Sequence, residues 1–146
     1  MNMSIRSLVF AAALLLLPVT TLAQDSGRQA VDNVMQKMMR GFQTGDRNLV
    51  FEVLRKDGVV LGYSTSKSSV VSQSTEEWAQ GFSGKPADDE AQRKRSYEIV
   101  DVSESSAVVK VLLDYPAWKG VDYLVLLKID GNWMIVSKTW SGQRKP

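Results

Sequence analysis

The C-terminal part of the chain alternates apolar segments with short turns, and this series constrains the fold more than any other feature. Four segments rich in β-branched and aromatic residues follow one another, with the polar turn SESS between the first two. The last two are joined by Asp130-Gly131-Asn132, and an Asp-Gly pair is typical of a tight hairpin turn. The pattern therefore predicts an antiparallel meander over residues 97–102, 107–115, 121–129 and 133–140.

Helical patterns precede this meander. Apolar side chains between Ala30 and Phe42 recur at intervals of three and four residues, which predicts one buried helix face, and Gly45 is placed to end the helix. Asp46 is a suitable N-cap for a second, shorter helix. Its apolar residues are Leu49, Val50, Val53 and Leu54.

The stretch between these helices and the meander contains one strand and a third helix. The run GVVLGY at 58–63 has strand composition, and residues 64–74 are interpreted as a loop or an irregular strand pair. Ser74 and Glu77 have the spacing of a capping box, which predicts a short helix through Trp78 and Phe82. The charged run at 85–95 is interpreted as a solvated connector.

The element order is thus helix, helix, strand, helix and four strands. This order predicts an α+β domain in which three helices pack on one face of a curved antiparallel sheet. Met35, Met38 and Met39 fall on the apolar face of the first helix. A soft-metal or adaptable binding surface is the alternative for these residues, but their helical spacing favours core packing.

Both faces of the last strands are apolar. Tyr123, Val125 and Leu127 alternate with Leu124 and Leu126, so side chains of both sets are hydrophobic. Helices on one side of a sheet would leave the second face in water, where polar residues are expected. We therefore expect the second, outer face to meet another copy of the chain in a homodimer.

The N-terminus has the pattern of a Sec-type signal peptide. Arg6 precedes an apolar run at 8–17, and Pro18 and a small-residue exit at Ala23 follow. Ten helical residues span about 15 Å, half of a hydrocarbon core of roughly 30 Å, so no permanent membrane anchor is expected. Pro18 is expected to leave an extended stretch before cleavage after Ala23. We expect residues 1–23 to be the signal, 24–146 to be one domain, and the product to be periplasmic or secreted.

The composition excludes several chemistries. The chain has no histidine and no cysteine, which rules out Ser/His/Asp and Cys/His catalysis, disulfides and lipidation at cysteine. No cofactor and no metal site is expected, since no phosphate-binding loop or dinucleotide fingerprint is present either. Lys and Arg number 18 against 16 Asp and Glu, and this balance indicates no nucleic-acid partner.

The ending DYLVLLKIDGNWMIVSKTW, at 122–140, together with the Gly45-Asp46 corner and Trp78, resembles the nuclear transport factor 2-like (NTF2-like) superfamily, which is also described as cystatin-like or SnoaL-like. Within it, the chain is similar to the putative lumazine-binding family over residues 28 to 140. The resemblance implies a conical sheet whose concave face and helices enclose a pocket, with dimerisation across the outer face. The fold hosts enzymes and binding modules alike.

Two functions are compatible with these patterns. The first is an exported, non-enzymatic module that binds a small apolar or aromatic ligand in the cone. Its candidate ligand-binding residues are Tyr63, Trp78, Trp118, Tyr123, Lys138 and Trp140. Trp118 is expected at the rim, since it precedes a turn, but each of these aromatics could instead be core, and Lys138 could pair with Asp122 across the terminal hairpin.

The second function is a cofactor-free isomerase or dehydratase that uses an aspartate base and a tyrosine. Asp114 is the first candidate for the base, because a carboxylate inside the pocket would be desolvated and its pKa raised. The alternative is an edge-strand carboxylate that faces water before Pro116. Other candidates for such chemistry are Asp122, Tyr63, Tyr97, Tyr115 and Tyr123.

Overall fold

The computed structural model describes residues 19–65 and 67–146, so most of the predicted signal peptide lies outside the described residues. Helix α1 spans Val19–Thr44, α2 spans Arg47–Phe51 and α3 spans Thr75–Ala79, with a 3₁₀ turn at Glu90–Gln92. The strands are β1 Leu54–Ser64, β2 Ser69–Ser74, β3 Lys94–Val102, β4 Ser106–Tyr115, β5 Trp118–Ile129 and β6 Asn132–Arg144. The predicted α+β class and the C-terminal meander are confirmed.

The helix termini follow the predicted local chemistry. Gly45 has a φ of 68° and ends α1, and the Asp46 side chain caps α2 by accepting from the Asn48 amide. Ser74 and Glu77 form the complete capping box of α3. Both short helices end earlier than predicted. After α2, Leu54 already pairs with Ile135 of β6. After α3, the amides of Gly81 and Phe82 form turn hydrogen bonds to carbonyl groups of the helix.

One sheet contains all six strands in the order β2-β1-β6-β5-β4-β3. The prediction of a purely antiparallel sheet is wrong, because β1 and β6 pair in parallel. Strand β2 pairs with one edge of β1. The other edge of β1 is therefore free to pair with β6, the last strand of the meander. Of the two interpretations of residues 64–74, the strand pair is closer, because β2 lies there and pairs with the end of β1. The predicted first strand begins earlier, at Leu54.

The core lies between the helices and the inner face of the sheet. Met35 and Met38 are fully buried there, as the core interpretation of the methionines requires. Their partners include Val109 and Val111 of β4 and Leu124 and Leu126 of β5. On β5 these leucines alternate with exposed residues, so the strand has a distinct inner and outer face.

The N-terminal end of α1 differs from one expectation. Residues 19 to 23 are helical and continue into the rest of α1, where an extended stretch was predicted before the cleavage site. Among the described residues, none of the helices combines the length and the hydrophobicity needed to cross a membrane.

Candidate functional site

A buried ion pair lies on the inner face of the sheet. The Nζ atom of Lys138 on β6 is 2.6 Å from Oδ2 of Asp122 on β5, and the two side chains are only 8% and 5% exposed. Burial raises the pKa of Asp122, and Lys138 opposes that rise. Burial likewise lowers the pKa of Lys138, and Asp122 opposes that change. The predicted alternative for Lys138, a pair with Asp122, is the one observed.

Aromatic rings from the helices cover this pair. The Lys138 Nζ atom lies 5.4 Å from the centre of the Trp78 ring, a distance at which the π-face attracts a cation. Trp78 contacts Phe82 edge to face at 5.3 Å, and Phe82 stacks on Phe42 at 5.7 Å. Phe42 belongs to α1, Trp78 to α3 and Phe82 to the turn that follows it. The helices therefore place an apolar wall opposite the ion pair.

Two arginines stand beside this wall, near the start of β3. The guanidinium carbons of Arg93 and Arg95 lie 4.5 Å and 4.8 Å from the Tyr115 ring centre. Arg95 also donates from Nε to the Tyr115 hydroxyl at 2.8 Å and forms a bidentate pair with Glu90. Burial raises the pKa of Tyr115, while the two arginines act to lower it. Arg93 pairs with Asp89 at 2.7 Å.

These groups line a cavity of about 190 Å³. Phe42, Phe82 and the Tyr115 ring supply apolar and aromatic surface, and Arg93, Arg95 and Lys85 supply positive charge. Arg93 pairs with Asp89 and Arg95 with Glu90, so the excess of positive charge comes from Lys85, which also lines the cavity. The arrangement can therefore hold a small molecule that combines a flat apolar part with an anionic group.

Trp118 and Trp140 lie on the inner face next to the site, where Trp118 is opposite Tyr115 and Trp140 is opposite Asp122. Their rings meet edge to face at 6.1 Å, and both side chains stay partly exposed. A Cβ atom at Gly62 would overlap the Trp140 indole, and one at Gly142 would overlap that of Trp118. Glycine at these strand positions lets the indoles lie directly on the backbone. The indoles thus occupy part of the space in which an apolar cone pocket was expected.

Two of the predicted ligand-binding tyrosines lie elsewhere. Tyr63 and Tyr123 are 53% and 47% exposed on the outer face, so their predicted place in the cone is wrong. Tyr123 follows the inward-facing Asp122, and neighbouring strand residues point to opposite faces. Trp78, Trp118, Trp140 and Lys138 do lie on the inner side.

Asp114 does not have the environment predicted for a general base. Its side chain is 48% exposed, pairs with Lys145, and shares the outer-face parity of Leu112. The hydrogen bond from Lys145 lowers the pKa of Asp114, where a rise was expected. Asp114 faces water as in the alternative, but its strand β4 lies between β5 and β3 and is not the edge strand that the alternative assumes. Asp122 is the carboxylate that burial affects instead.

Arg93 and Arg95 are not among the predicted site residues. The charge pattern predicts a solvated connector at 85–95, yet β3 begins at Lys94 and the Arg95 side chain is buried. The available signal was the alternation of Arg95, Tyr97 and Ile99, which extends the strand period backwards into the charged run.

The chain is similar to one protein family and to several solved structures. The family model described as putative lumazine-binding matches residues 26–141. No protein with a curated description matches the chain. Among solved structures, an NTF2-like protein of unknown function from Shewanella baltica superposes with a TM-score of 0.69 at 16% identity, over 83% of this chain and 97% of its own.

Two further structures share the fold at low identity. The association domain of CaMKII from C. elegans has a TM-score of 0.56 at 13% identity, with 82% of this chain and 98% of that domain covered. A putative scytalone dehydratase from Novosphingobium aromaticivorans has a TM-score of 0.60 at 13% identity, with 85% and 89% covered. Since the family model spans most of the chain, the protein belongs to the putative lumazine-binding family, and its fold is that of NTF2-like proteins.

Proposed function

We propose that the domain is an exported module that binds a small aromatic anion in the cavity between the aromatic wall and the two arginines. The observation that carries the proposal is the packing of Arg93 and Arg95 against Tyr115 beside Phe42 and Phe82. A volume of about 190 Å³ is below the roughly 300–1,000 Å³ of most drug-sized sites, which favours a ligand of one or two rings. The family description supports a small ligand as well.

Arg93→Gln is expected to weaken the binding of benzoate by at least about tenfold, because a charge-assisted hydrogen bond contributes roughly 1.5–3 kcal/mol. Benzamide, the neutral analogue, should bind less tightly and be insensitive to the substitution. Arg40→Gln, an exposed change on α1, is the matched control. Tryptophan fluorescence reports binding, since Trp78 contacts the Phe82 ring. Equal affinities for benzoate and benzamide, unchanged by Arg93→Gln, would refute the site.

The natural ligand can be identified directly. Protein purified from its native compartment should carry a small aromatic anion, which native mass spectrometry followed by denaturing release would identify. The Arg93→Gln protein should carry less of the same molecule.

Export is part of this proposal. The N-terminal pattern predicts a mature chain that begins at Gln24, which removes the first helical residues of α1. N-terminal sequencing of the protein from the periplasm or medium tests this, and a chain that began at Met1 would contradict it.

An isomerase or dehydratase is the second candidate. It is favoured by the buried Asp122, whose negative charge also acts to raise the pKa of Tyr115. Asp122 therefore replaces Asp114 as the possible base, and Tyr115 is the tyrosine that would act with it. The NTF2-like neighbour described as a putative scytalone dehydratase suggests scytalone as the first substrate to test. The candidate predicts that the chain dehydrates scytalone and that Asp122→Asn abolishes this activity. No dehydration by the parent chain, or unchanged activity in Asp122→Asn, would count against it.

We also propose that two copies associate through the outer sheet face. A hairpin patch of apolar residues lies on β5 and β4, formed by the exposed Tyr123, Val125 and Leu127 and by the half-buried Val108, which lies opposite Val125. Exposed apolar clusters of this kind are typical of protein interfaces. The neighbour described as the association domain of CaMKII shares this fold, and its description supports the proposal by analogy.

Val125→Glu is expected to weaken this dimer by at least tenfold. In a two-fold symmetric contact the substituted glutamate is present in both copies, so two like charges come close to each other. This repulsion is expected to reduce the free energy of association by more than about 1.4 kcal/mol. Val70→Glu is the matched control, since Val70 is also exposed on a strand but lies on β2, away from the patch. Sedimentation velocity at micromolar concentration measures the effect. A strictly monomeric parent protein would contradict the proposal.

A further inference from the structure

A long trough crosses the outer face of the sheet, beyond the hairpin patch. Its floor is one row of side chains that the strand register brings together, with Leu112 opposite Val121 and Val121 opposite Ser141. Ser96 of β3 extends the row on one side, and Tyr63 of β1 lines the trough on the other. Leu112 is 46% exposed and Tyr63 more so. The floor is therefore largely apolar and open to solvent.

The shape of the trough suits an extended, slender molecule. The row runs across β1, β6, β5, β4 and β3, and neighbouring strands lie about 4.8 Å apart, so it is about 19 Å long. The trough has a volume of about 930 Å³, close to the upper end of the range for small-molecule sites. Its backbone floor includes Gly120 and Gly142.

A second row of side chains places positive charge along one rim. The register sets Lys94 opposite Asp114 and Asp114 opposite Lys119. Asp114 is already paired with Lys145. Lys94 and Lys119 form no ion pair within the described part of the chain, so the rim keeps a net positive charge.

The other side of the trough is bounded by polar groups. There Glu98 lies opposite Lys110, and Lys110 lies opposite Tyr123. The two charges of opposite sign balance each other, so this side offers no excess charge. This polar row separates the trough from the more distant residues of the hairpin patch, Val125 and Leu127. The trough is thus a distinct surface with an apolar floor and one cationic rim.

We propose that this trough binds a free single-chain anionic amphiphile, such as a fatty carboxylate. The apolar chain lies along Tyr63, Val121 and Leu112, and the carboxylate meets Lys94 or Lys119. The apolar floor contributes through buried hydrocarbon area, and the lysines select the sign of the head group. This site is on the opposite face of the sheet from the cavity proposed for the aromatic anion.

The test is an NMR titration of the ¹⁵N-labelled chain with dodecanoate below its micelle concentration. We expect the largest shift changes at the amides of Gly120, Val121 and Gly142. Dodecyltrimethylammonium, which has the same chain length and the opposite charge, should bind at least about fivefold more weakly, the equivalent of about 1 kcal/mol. The proposal would be overturned if dodecanoate did not bind, which is the result expected if a second copy covers the trough. It would also be overturned if dodecyltrimethylammonium bound as tightly as dodecanoate.

Three variants distinguish binding in the trough from binding elsewhere, including the inner cavity. Lys94→Gln combined with Lys119→Gln should weaken dodecanoate binding about fivefold, and Lys128→Gln, an exposed lysine near the β5–β6 turn, should leave it unchanged. Arg93→Gln, which tests the inner cavity, should leave it unchanged too. Shift changes confined to residues of the inner cavity, or loss of dodecanoate binding in Arg93→Gln, would assign the amphiphile to that cavity and overturn the trough proposal.

Discussion

Replacing Lys138 by methionine is expected to lower the free energy of unfolding by about 3–5 kcal/mol. Methionine fits the space of the lysine stem but removes the ammonium group that neutralises Asp122, and both side chains are almost completely buried. A buried carboxylate without its partner must be either ionised in a poorly solvated site or protonated at neutral pH. Urea unfolding at pH 7 measures the change.

Two controls identify the ion pair as the cause. Lys37→Met removes an exposed partner of Glu52 on the protein surface and should change stability by no more than about 1 kcal/mol. The double substitution Asp122→Leu with Lys138→Met replaces both charges by apolar groups and should recover most of the lost stability. A double variant as unstable as Lys138→Met alone would show that packing of the lysine stem, and not charge, is responsible.

The pH dependence of the Lys138→Met defect has a definite sign. Burial raises the pKa of Asp122, so between its ordinary and raised values the native state holds a proton that the unfolded state has lost. Stability from this group is therefore lost as pH rises through that window. Without Lys138 the pKa of Asp122 rises further, and the stability difference between variant and parent should be smaller at pH 4.5 than at pH 8. An equal difference at both pH values would contradict this account.

Much of the fold could be predicted because its signals are local. The Asp130-Gly131 turn, with a φ of 83° at Gly131, and the capping box at Ser74 and Glu77 depend on residues within a few positions of each other. The pairing of β1 with β6 could not be predicted in the same way. It joins segments about 80 residues apart, and its parallel direction depends on which edge of β1 the β2 hairpin leaves free.

The candidate site was predictable only in part, because alternation alone does not say which face of a strand is inner. Both faces of β5 are apolar, so the sequence pattern allows Tyr123 to face the cone, whereas Asp122 and Leu124 are the residues that point there. The ion pair of Asp122 with Lys138 was foreseen as one alternative, since both residues lie near the same hairpin. The packing of Arg93 and Arg95 on Tyr115 was not, because it joins residues from β3 and β4 to the connector before them.

Met35→Ala is expected to destabilise the fold by about 2–5 kcal/mol, because Met35 is fully buried and its truncation leaves a cavity against the sheet. Met35→Leu nearly conserves the volume and should cost less than about 1.5 kcal/mol. Met39, on the same helix but only partly buried, gives the matched comparison, and Met39→Ala should have a smaller effect. Urea unfolding of the three variants measures these differences.

The same series decides between the two interpretations of the methionine stripe. A core role makes stability sensitive to the volume of the side chain at position 35 and insensitive to sulfur, so leucine replaces methionine well and alanine does not. A soft-metal or adaptable binding role would give the reverse, with Met35→Ala close to neutral for stability. The full burial of both Met35 and Met38 against apolar side chains leaves a ligand no access to their sulfur atoms without separation of α1 from the sheet. Met35→Ala should therefore reduce stability without changing the affinity for benzoate in the fraction that remains folded.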